Sequence, residues 1–301
     1  MRKFVKRFLV ICIVPLVLFM VFNVFYYKLG NHSRLSAFEV YEAIDLTGTE
    51  TGYTTLVLGD SVGRQFFNPE YQEESTECCY LATNQAITVA GNYILFQRFL
   101  ENNTDLEKVY YVLRPDSLKS GVNFIYTYSY FVTPLFHESC EQYLFPETVQ
   151  GIEDVFGRVC AERSFPKWMM AKYPKMLEMY NNTCDSLWQI RHKMGSEKQT
   201  PDMSITYLAK MKQICDEHDI ELHLICVPLP DGFVFGMDSL ENEMHDAGLD
   251  VLYEEYVSDL QYVDQGAFVD GIHLTREYLN ENRERFTEEV IHGICTFARP
   301  H

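Results

Sequence analysis

The sequence predicts an α/β protein built on a parallel β-sheet, and two observations support this. Short apolar runs that suit buried strands recur at residues 54–59, 109–113 and 220–227. Stretches with helical spacing of apolar residues accompany them, at 92–101 and at about 204–218. Strands that alternate with helices indicate parallel strands covered by helices on both faces.

Three further segments complete the predicted core. Residues 78–82 form another candidate strand, and residues 267–274 are typical of a strand that leads into a loop. The chain from Thr275 to about residue 295 predicts a final helix. Thr275 is a suitable N-cap for it, because its hydroxyl can accept a hydrogen bond from the first turn.

The stretch from about residue 121 to 201 interrupts this alternation. It carries many aromatic side chains, among them Trp168 and Trp188, and a large share of the protein's basic residues. We interpret it as a mostly helical insertion between two core strands. Its aromatic residues either stack on sugar rings or form a small hydrophobic core of their own, and the sequence leaves both alternatives open.

The N-terminus predicts a cytoplasmic tip and a transmembrane signal anchor over residues 1–28. Residues 9–27 are almost entirely apolar, and as a helix they span about 28 Å, close to the thickness of a bilayer core. Four basic residues precede this run, which places the N-terminus in the cytoplasm. A cleaved signal peptide is the alternative, but the run is longer than usual and no small-x-small site follows it.

We therefore divide the chain into the anchor, a polar connector at residues 29–52, and an α/β domain over residues 53–301 that contains the insertion. That domain is expected to lie outside the cytoplasm, attached to the membrane through its N-terminal helix. Nine cysteines are present, eight of them beyond the anchor, and some of these can pair in an oxidising compartment. Their spacing alone assigns no disulfide.

Charge and motif content exclude several classes of function. The formal net charge is −18, which argues against a nucleic-acid partner because phosphate neutralisation needs a basic face. No nucleotide-binding glycine loop, no zinc-protease motif and no C-x-x-C pair occurs in the sequence. We expect no cofactor and no metal. His218 and His223 are more typical of packing or surface residues than of metal ligands.

The strongest local signal is the apolar run that ends in Gly59-Asp60-Ser61. In parallel sheets, functional groups gather at the carboxyl ends of the strands, so the Ser61 hydroxyl is expected above the sheet edge. If a helix begins at this turn, its free N–H groups favour a developing oxyanion. A serine nucleophile also needs a base that accepts its proton.

The candidate base lies near the other end of the chain, in the segment Asp270-Gly271-Ile272-His273. Three residues apart on a tight loop, Asp270 can hold one imidazole nitrogen of His273 while the other nitrogen faces Ser61. This arrangement is that of a catalytic triad, which is defined by the roles of its members and not by their order.

These two motifs together resemble the SGNH (GDSL-type) hydrolase superfamily. The resemblance covers roughly residues 54–118 and 203–295 and implies a flavodoxin-like three-layer α/β/α sandwich. It also implies that Ser61 is the nucleophile, His273 the general base and Asp270 its orienting acid, with the Ser61 backbone N–H in the oxyanion hole.

The two middle motifs depart from the family pattern, which has a glycine after the second strand and Gly-x-Asn-Asp after the third. Here the corresponding positions contain Asn84 and Gln85, and then Arg114. We take these three residues, with Gly59 and Asp60, as candidates for oxyanion or substrate contacts. Ordinary loop or capping roles are the alternative for each of the three.

The layout resembles the membrane-anchored branch of this superfamily that modifies cell-envelope polymers, such as alginate O-acetylation and teichoic-acid D-alanylation proteins. The resemblance implies an extracytoplasmic esterase or O-acyltransferase, acting on an envelope glycan or another acylated substrate, with a membrane acyl-donor protein as a partner by analogy. The alternative hypothesis is a non-catalytic scaffold that binds an envelope polymer or a membrane acyltransferase.

Overall fold

The computed structural model describes residues 13–18, 37–49, 52–67, 77–122, 127–136, 138–156, 202–258 and 260–290. Its centre is a four-stranded sheet in which every pair of neighbouring strands is parallel. The strand order is β2-β1-β3-β4. The strands are β1 (Thr55–Gly59), β2 (Cys78–Tyr80), β3 (Lys108–Leu113) and β4 (Glu221–Cys226). The prediction of an α/β protein with a parallel sheet is confirmed.

The register of the sheet brings the carboxyl ends of its central strands together. Gly59 of β1 lies opposite Val112 of β3, and Leu113 of β3 lies opposite Cys226 of β4. The residues that follow β1 and β3 therefore lie side by side at one edge of the sheet. This edge is where the Gly-Asp-Ser turn leaves β1.

A second, two-stranded parallel sheet lies directly beyond β4. It pairs β5 (Leu229–Pro230) with β6 (Tyr262–Val263). Pro228 lies between β4 and β5 and fits this break, since proline cannot donate a ladder hydrogen bond. The chain after β6 leads through a 3₁₀ turn at Gln265–Ala267 into the segment that carries Asp270 and His273.

Eight helices of six or more residues surround the sheets in the described ranges. They are α1 (Phe38–Thr47), α2 (Ser61–Phe66), α3 (Thr88–Asn102), α4 (Pro146–Phe156), α5 (Ser204–Glu217), α6 (Met237–Asp246), α7 (Asp250–Ser258) and α8 (Arg276–Val290). Shorter helical segments lie at Gln85–Ile87, Pro115–Lys119, Tyr128–Val132, Thr133–Leu135 and Glu138–Glu141. The predicted N-cap of α8 is confirmed, because the Tyr278 N–H donates to Thr275 Oγ1 at 3.2 Å.

The two faces of the sheet belong to two separate hydrophobic clusters. Leu56, Leu58 and Tyr111 point into a large cluster that includes buried residues of α1, α3, α5, α6 and α7. Val57 and Val112 point into a smaller cluster built with residues of α2 and α8. Strand side chains alternate between faces, so each strand contributes to both clusters. Helices thus cover both faces, as the alternating pattern predicts.

The described part of the predicted insertion is helical. Phe131 and Phe136 are buried and belong to the large cluster of the main sheet. These two aromatic residues therefore contribute to the main core. The two alternatives that the sequence left open for the aromatic residues of the insertion, sugar stacking and a separate small core, do not describe them. Residues 157–201 of the predicted insertion lie outside the described residues.

The predicted membrane anchor lies mostly outside the described residues. Residues 13–18, within the apolar run 9–27, are helical and exposed. In the ranges that the structure describes, no helix combines the length and the apolar character needed to cross a bilayer. Among the described cysteines, Cys78 is disulfide-bonded.

Candidate active site

The Ser61 turn is built by the side chain of the preceding residue. Asp60 is the N-cap of α2, and its Oδ1 accepts hydrogen bonds from the backbone N–H groups of Val62 at 2.9 Å and Gly63 at 3.0 Å. A carboxylate is among the best N-caps because it satisfies N–H groups that have no partner within the helix. Ser61 is consequently the first residue of a helix that begins directly at the end of a buried strand.

Asp60 also ties this turn to the neighbouring strand. Its Oδ2 accepts from the Arg114 backbone N–H at 2.9 Å and from Ser117 Oγ at 2.6 Å. The residue is 3% exposed, and four donors occupy its two oxygens. These contacts give Asp60 a positioning role under Ser61, where the sequence suggested an oxyanion or substrate contact.

The glycines of the motif allow β1 and α2 to approach β3 closely. A Cβ atom placed on Gly59 or on Gly63 would lie 2.3 Å from the carbonyl oxygen of Val112. No side chain fits at that distance without a movement of the β3 backbone. Gly59 is therefore required for packing in this structure.

Ser61, His273 and Asp270 form a continuous chain of hydrogen bonds. His273 Nε2 lies 2.9 Å from Ser61 Oγ, and His273 Nδ1 lies 2.8 Å from Asp270 Oδ2. The serine and the histidine are 212 positions apart in the sequence. If Nδ1 carries a proton that it donates to Asp270, the lone pair of Nε2 faces the serine hydroxyl, which is the geometry a general base needs.

The second oxygen of Asp270 stabilises the loop that carries the histidine. Asp270 Oδ1 accepts from the backbone N–H of Ile272 at 3.0 Å and of His273 at 2.7 Å. The hydrogen bonds from the His273 backbone and side chain are the main reason that the pKa of Asp270 is lowered to about 2. The carboxylate is thus ionised at neutral pH. Half of its side-chain surface remains exposed, so the triad is open to solvent.

The His273 loop closes on itself through the backbone. The Val269 N–H donates to His273 O at 2.8 Å, and the Thr275 N–H donates to Ala267 O at 2.7 Å. Gly271 occupies the tip of this turn with φ +79°, a conformation that side chains with a Cβ rarely adopt. This explains the glycine between the aspartate and the histidine.

Two N–H donors at this end of the sheet have no acceptor among the described residues, the Ser61 backbone N–H and the Asn84 side-chain amide. Thr83 N–H donates to Gly59 O at 3.1 Å, which places the following residue, Asn84, at the same end of the sheet. Asn84 uses its Oδ1 to accept from the Ala86 N–H at 2.9 Å. Its Nδ2 group makes no hydrogen bond within the described ranges.

Gln85 and Arg114 brace the loop after β3 instead. Gln85 Nε2 donates to Asp116 Oδ2 at 3.3 Å and to Ser120 Oγ at 2.9 Å. Arg114 Nε donates to Asp116 Oδ1 at 2.9 Å, and its guanidinium lies 5.0 Å from the centroid of the Phe233 ring. Arg114 is 6% exposed, and its Nη1 has no acceptor in the described part of the chain. The side chains of Gln85 and Arg114 thus donate to the loop after β3, whereas Asn84 Nδ2 makes no hydrogen bond within the described ranges.

One residue of the site has no counterpart among the sequence predictions. The Gln65 side-chain amide, on α2, makes two hydrogen bonds with the backbone of Leu274, directly after His273. Its position four residues after Ser61, one helical turn along the same helix, was the available signal. A glutamine at that spacing carries no recognised motif, so the contact appears only once the tertiary structure is known.

His223, which the sequence indicates as a packing or surface residue, lies on β4. His223 stacks on Tyr110 with ring centroids 4.9 Å apart, and its Nδ1 lies 2.7 Å from Glu255 Oε1. Within the described ranges, no group of three or more histidine, cysteine, aspartate or glutamate residues is arranged to hold a metal ion.

Comparison of the chain with protein-family models, with curated proteins and with solved structures finds no match. Its function therefore has to be inferred from the site itself.

Proposed function

We propose that this protein is a serine esterase or O-acyltransferase of the SGNH type, which forms an acyl-enzyme at Ser61. The observation that carries the proposal is the hydrogen-bonded series Ser61 Oγ, His273 Nε2, His273 Nδ1 and Asp270 Oδ2. Its members come from opposite ends of the α/β domain and meet where parallel sheets hold their functional groups. A nucleophile, a base within hydrogen-bond reach and a group that orients the base are the signature of nucleophilic catalysis.

In the first half-reaction, Ser61 Oγ attacks the carbonyl carbon of an ester while His273 Nε2 takes the hydroxyl proton. Asp270 stays ionised and stabilises the imidazolium that forms. The negative charge that develops on the carbonyl oxygen is stabilised by the Ser61 N–H and by Asn84 Nδ2. Preorganised donors of this kind lower the barrier because they need no rearrangement during the reaction.

The imidazolium then donates its proton to the leaving alcohol, and the acyl group remains on Ser61. In the second half-reaction, His273 Nε2 takes a proton from an incoming hydroxyl group, whose oxygen attacks the acyl-serine. The bond between the acyl carbon and Ser61 Oγ then breaks, and the imidazolium returns the proton to Ser61 Oγ. Water as this acceptor gives an esterase, and a sugar hydroxyl gives an O-acyltransferase. The same residues serve both outcomes.

The fold agrees with the flavodoxin-like three-layer sandwich that the resemblance implies. The strand order β2-β1-β3-β4 and the helices on both faces support this assignment. In flavodoxin-like sheets the site lies where the strand order reverses, next to the first strand. Ser61 follows β1 at that point.

We place the catalytic domain outside the cytoplasm, anchored through residues 9–27. The disulfide at Cys78 supports this location, since structural disulfides persist mainly in oxidising compartments. A domain tethered there favours an envelope glycan or another acylated envelope molecule as substrate. A membrane acyl-donor protein is then the natural source of the acyl group if the reaction is a transfer.

The test is hydrolysis of p-nitrophenyl acetate by the full-length protein, compared with Ser61→Ala and His273→Ala. Loss of either triad member should lower kcat by about 10³-fold or more. Ser239→Ala and His245→Ala, at exposed positions on α6, are matched controls that should keep the wild-type rate. Variants as fast as the wild type would exclude Ser61-dependent esterase activity.

If no Ser61-dependent hydrolysis is found, labelling with a fluorophosphonate probe distinguishes a dedicated transferase from a non-catalytic scaffold. A dedicated transferase has an activated Ser61 and reacts with the probe, whereas its Ser61→Ala variant does not. A non-catalytic scaffold reacts no faster than that variant.

A further inference from the structure

The contact between Gln65 and Leu274 connects the helix of the nucleophile with the loop of the base. Gln65 lies on α2, one turn after Ser61, and Leu274 directly follows His273. Gln65 Nε2 donates to Leu274 O at 3.0 Å, and the Leu274 N–H donates to Gln65 Oε1 at 2.9 Å. The side-chain amide thus pairs with the backbone of Leu274 in the way that a neighbouring strand would.

A second set of contacts joins α2 to α8, the helix that follows the His273 loop, farther from the site. Arg283 of α8 donates from Nη2 to the backbone carbonyl of Gln65 at 2.8 Å. The rings of Phe66 and Phe286 stack with centroids 4.1 Å apart in the smaller hydrophobic cluster. Because α8 begins just after the His273 loop, these contacts fix the helix behind the loop, and Gln65 fixes the loop itself.

Residues 269–272 of the loop are exposed to solvent. Val269 and Ile272 are 74% and 39% exposed, and Asp270 and Gly271 are exposed as well. The hydrogen bonds at 267–275 described above lie within the loop. Leu274, in contrast, is 2% exposed, so water cannot readily replace the two hydrogen bonds from Gln65.

We propose that Gln65 is a positioning residue that sets the distance between His273 and Ser61. The inference rests on the proposed function, because it assigns His273 the role of general base. A side chain on the nucleophile helix that holds the base loop makes the two catalytic elements move as one unit. Displacement of a catalytic group by about 1 Å can cost 10²-fold in rate.

The kinetic test uses Gln65→Leu in the full-length protein, a substitution that keeps the size of the side chain and removes both hydrogen bonds. We expect kcat for p-nitrophenyl acetate to fall by about 10²-fold with KM within about twofold of wild type. Gln213→Leu is the matched control, since Gln213 is exposed on α5 and bonds only within its own helix. A Gln65→Leu rate within twofold of wild type overturns the inference.

A double-mutant cycle separates this inference from the proposed function. If Gln65 acts through His273, adding Gln65→Leu to His273→Ala should cause no further loss of rate. If the two losses multiply, Gln65 acts by another route and the inference fails. If His273→Ala alone keeps the wild-type rate, the proposed function itself fails.

Hydrogen exchange tests the contact without any activity. In Gln65→Leu, the amide of Leu274 should exchange at least tenfold faster than in wild type, while amides of β3 and β4 should keep their wild-type protection. Unchanged exchange at Leu274 overturns the inference. Should Gln65→Leu fail to fold, Gln65→Glu replaces it. Its carboxylate still accepts from the Leu274 N–H but cannot donate to the Leu274 carbonyl, so its kcat should also fall.

Discussion

The carboxylate of Asp60 and the backbone N–H of Arg114 are hydrogen-bonded at 2.9 Å, and this bond joins the turns that follow β1 and β3. Ser61, the first residue of α2, directly follows Asp60 and is thus held in place by this buried carboxylate. Removal of this group should affect folding and catalysis together.

The first prediction concerns Asp60→Ala. The substitution leaves four donors without their acceptor, on Val62, Gly63, Arg114 and Ser117. Because these groups are buried, we expect the free energy of unfolding to fall by about 3 kcal/mol, measured by urea denaturation. Asp246→Ala, at the exposed end of α6, is the control. Equal stability of the two variants would show that the Asp60 network contributes little.

The second prediction concerns the orienting role of Asp270. Asp270→Asn keeps the shape of the side chain but no longer favours a proton on Nδ1 of His273, so kcat should fall by roughly 10³- to 10⁴-fold. Because the pKa of Asp270 is lowered to about 2, the carboxylate is ionised throughout the range from pH 4 to 9. Any acid limb of the wild-type rate in that range therefore belongs to another group.

The exposed pair His245 and Asp250 provides a control for this experiment. It is also an aspartate hydrogen-bonded to Nδ1 of a histidine, but no serine of the described ranges takes part in it. Asp250→Asn should leave the rate unchanged. A less than tenfold loss in Asp270→Asn would mean that His273 needs no carboxylate for its orientation.

The sequence suffices to predict the α/β class and the proximity of Ser61, Asp270 and His273, because these depend on short patterns. A buried strand that ends in Gly-Asp-Ser and a tight Asp-Gly-Ile-His loop are each complete within a few residues. The allocation of hydrogen bonds at the sheet edge is different. Which of Asn84, Gln85 and Arg114 retains a free donor depends on Asp116 and Ser120, whose positions follow from the loop after β3.

The contact of Gln65 with Leu274 likewise could not be predicted from a short sequence pattern. Its two partners lie on Leu274, 209 positions away, and both are backbone atoms. A backbone partner leaves no pattern of residue types in the sequence. The contact exists because α2 and the loop before α8 pack into one hydrophobic cluster, which only the tertiary structure specifies.

The third prediction concerns pH-dependent stability away from the site. The hydrogen bond that His223 Nδ1 donates to the Glu255 carboxylate is the main cause that raises the pKa of His223 above its usual 6.5, and Glu221 adds to it. A raised pKa stabilises the fold fully below pH 6.5, and this contribution is lost as the pH rises through the folded-state pKa. Since the side chains of His223 and Glu255 are about one-third exposed, we expect this pair to contribute about 0.5–1 kcal/mol to the free energy of unfolding.

Thermal unfolding between pH 5.5 and 9 measures this effect. The wild-type Tm should fall above pH 6.5 relative to that of Glu255→Gln, in which the main partner is neutral. Parallel pH profiles for the two proteins would contradict the assigned ion pair.

The fourth prediction tests Asn84 as the second oxyanion donor. Its Oδ1 caps the turn at Ala86, so Asn84→Ala removes both a cap and a donor. Asn84→Asp is the sharper change, because a carboxylate keeps the cap and lacks the N–H group. We expect kcat to fall by about 10²-fold in both variants, the usual cost of one oxyanion donor. Gln85→Leu, whose amide is bonded to Asp116 and Ser120, should lose much less. If Gln85→Leu is the more damaging change, the assignment of the second donor to Asn84 is wrong.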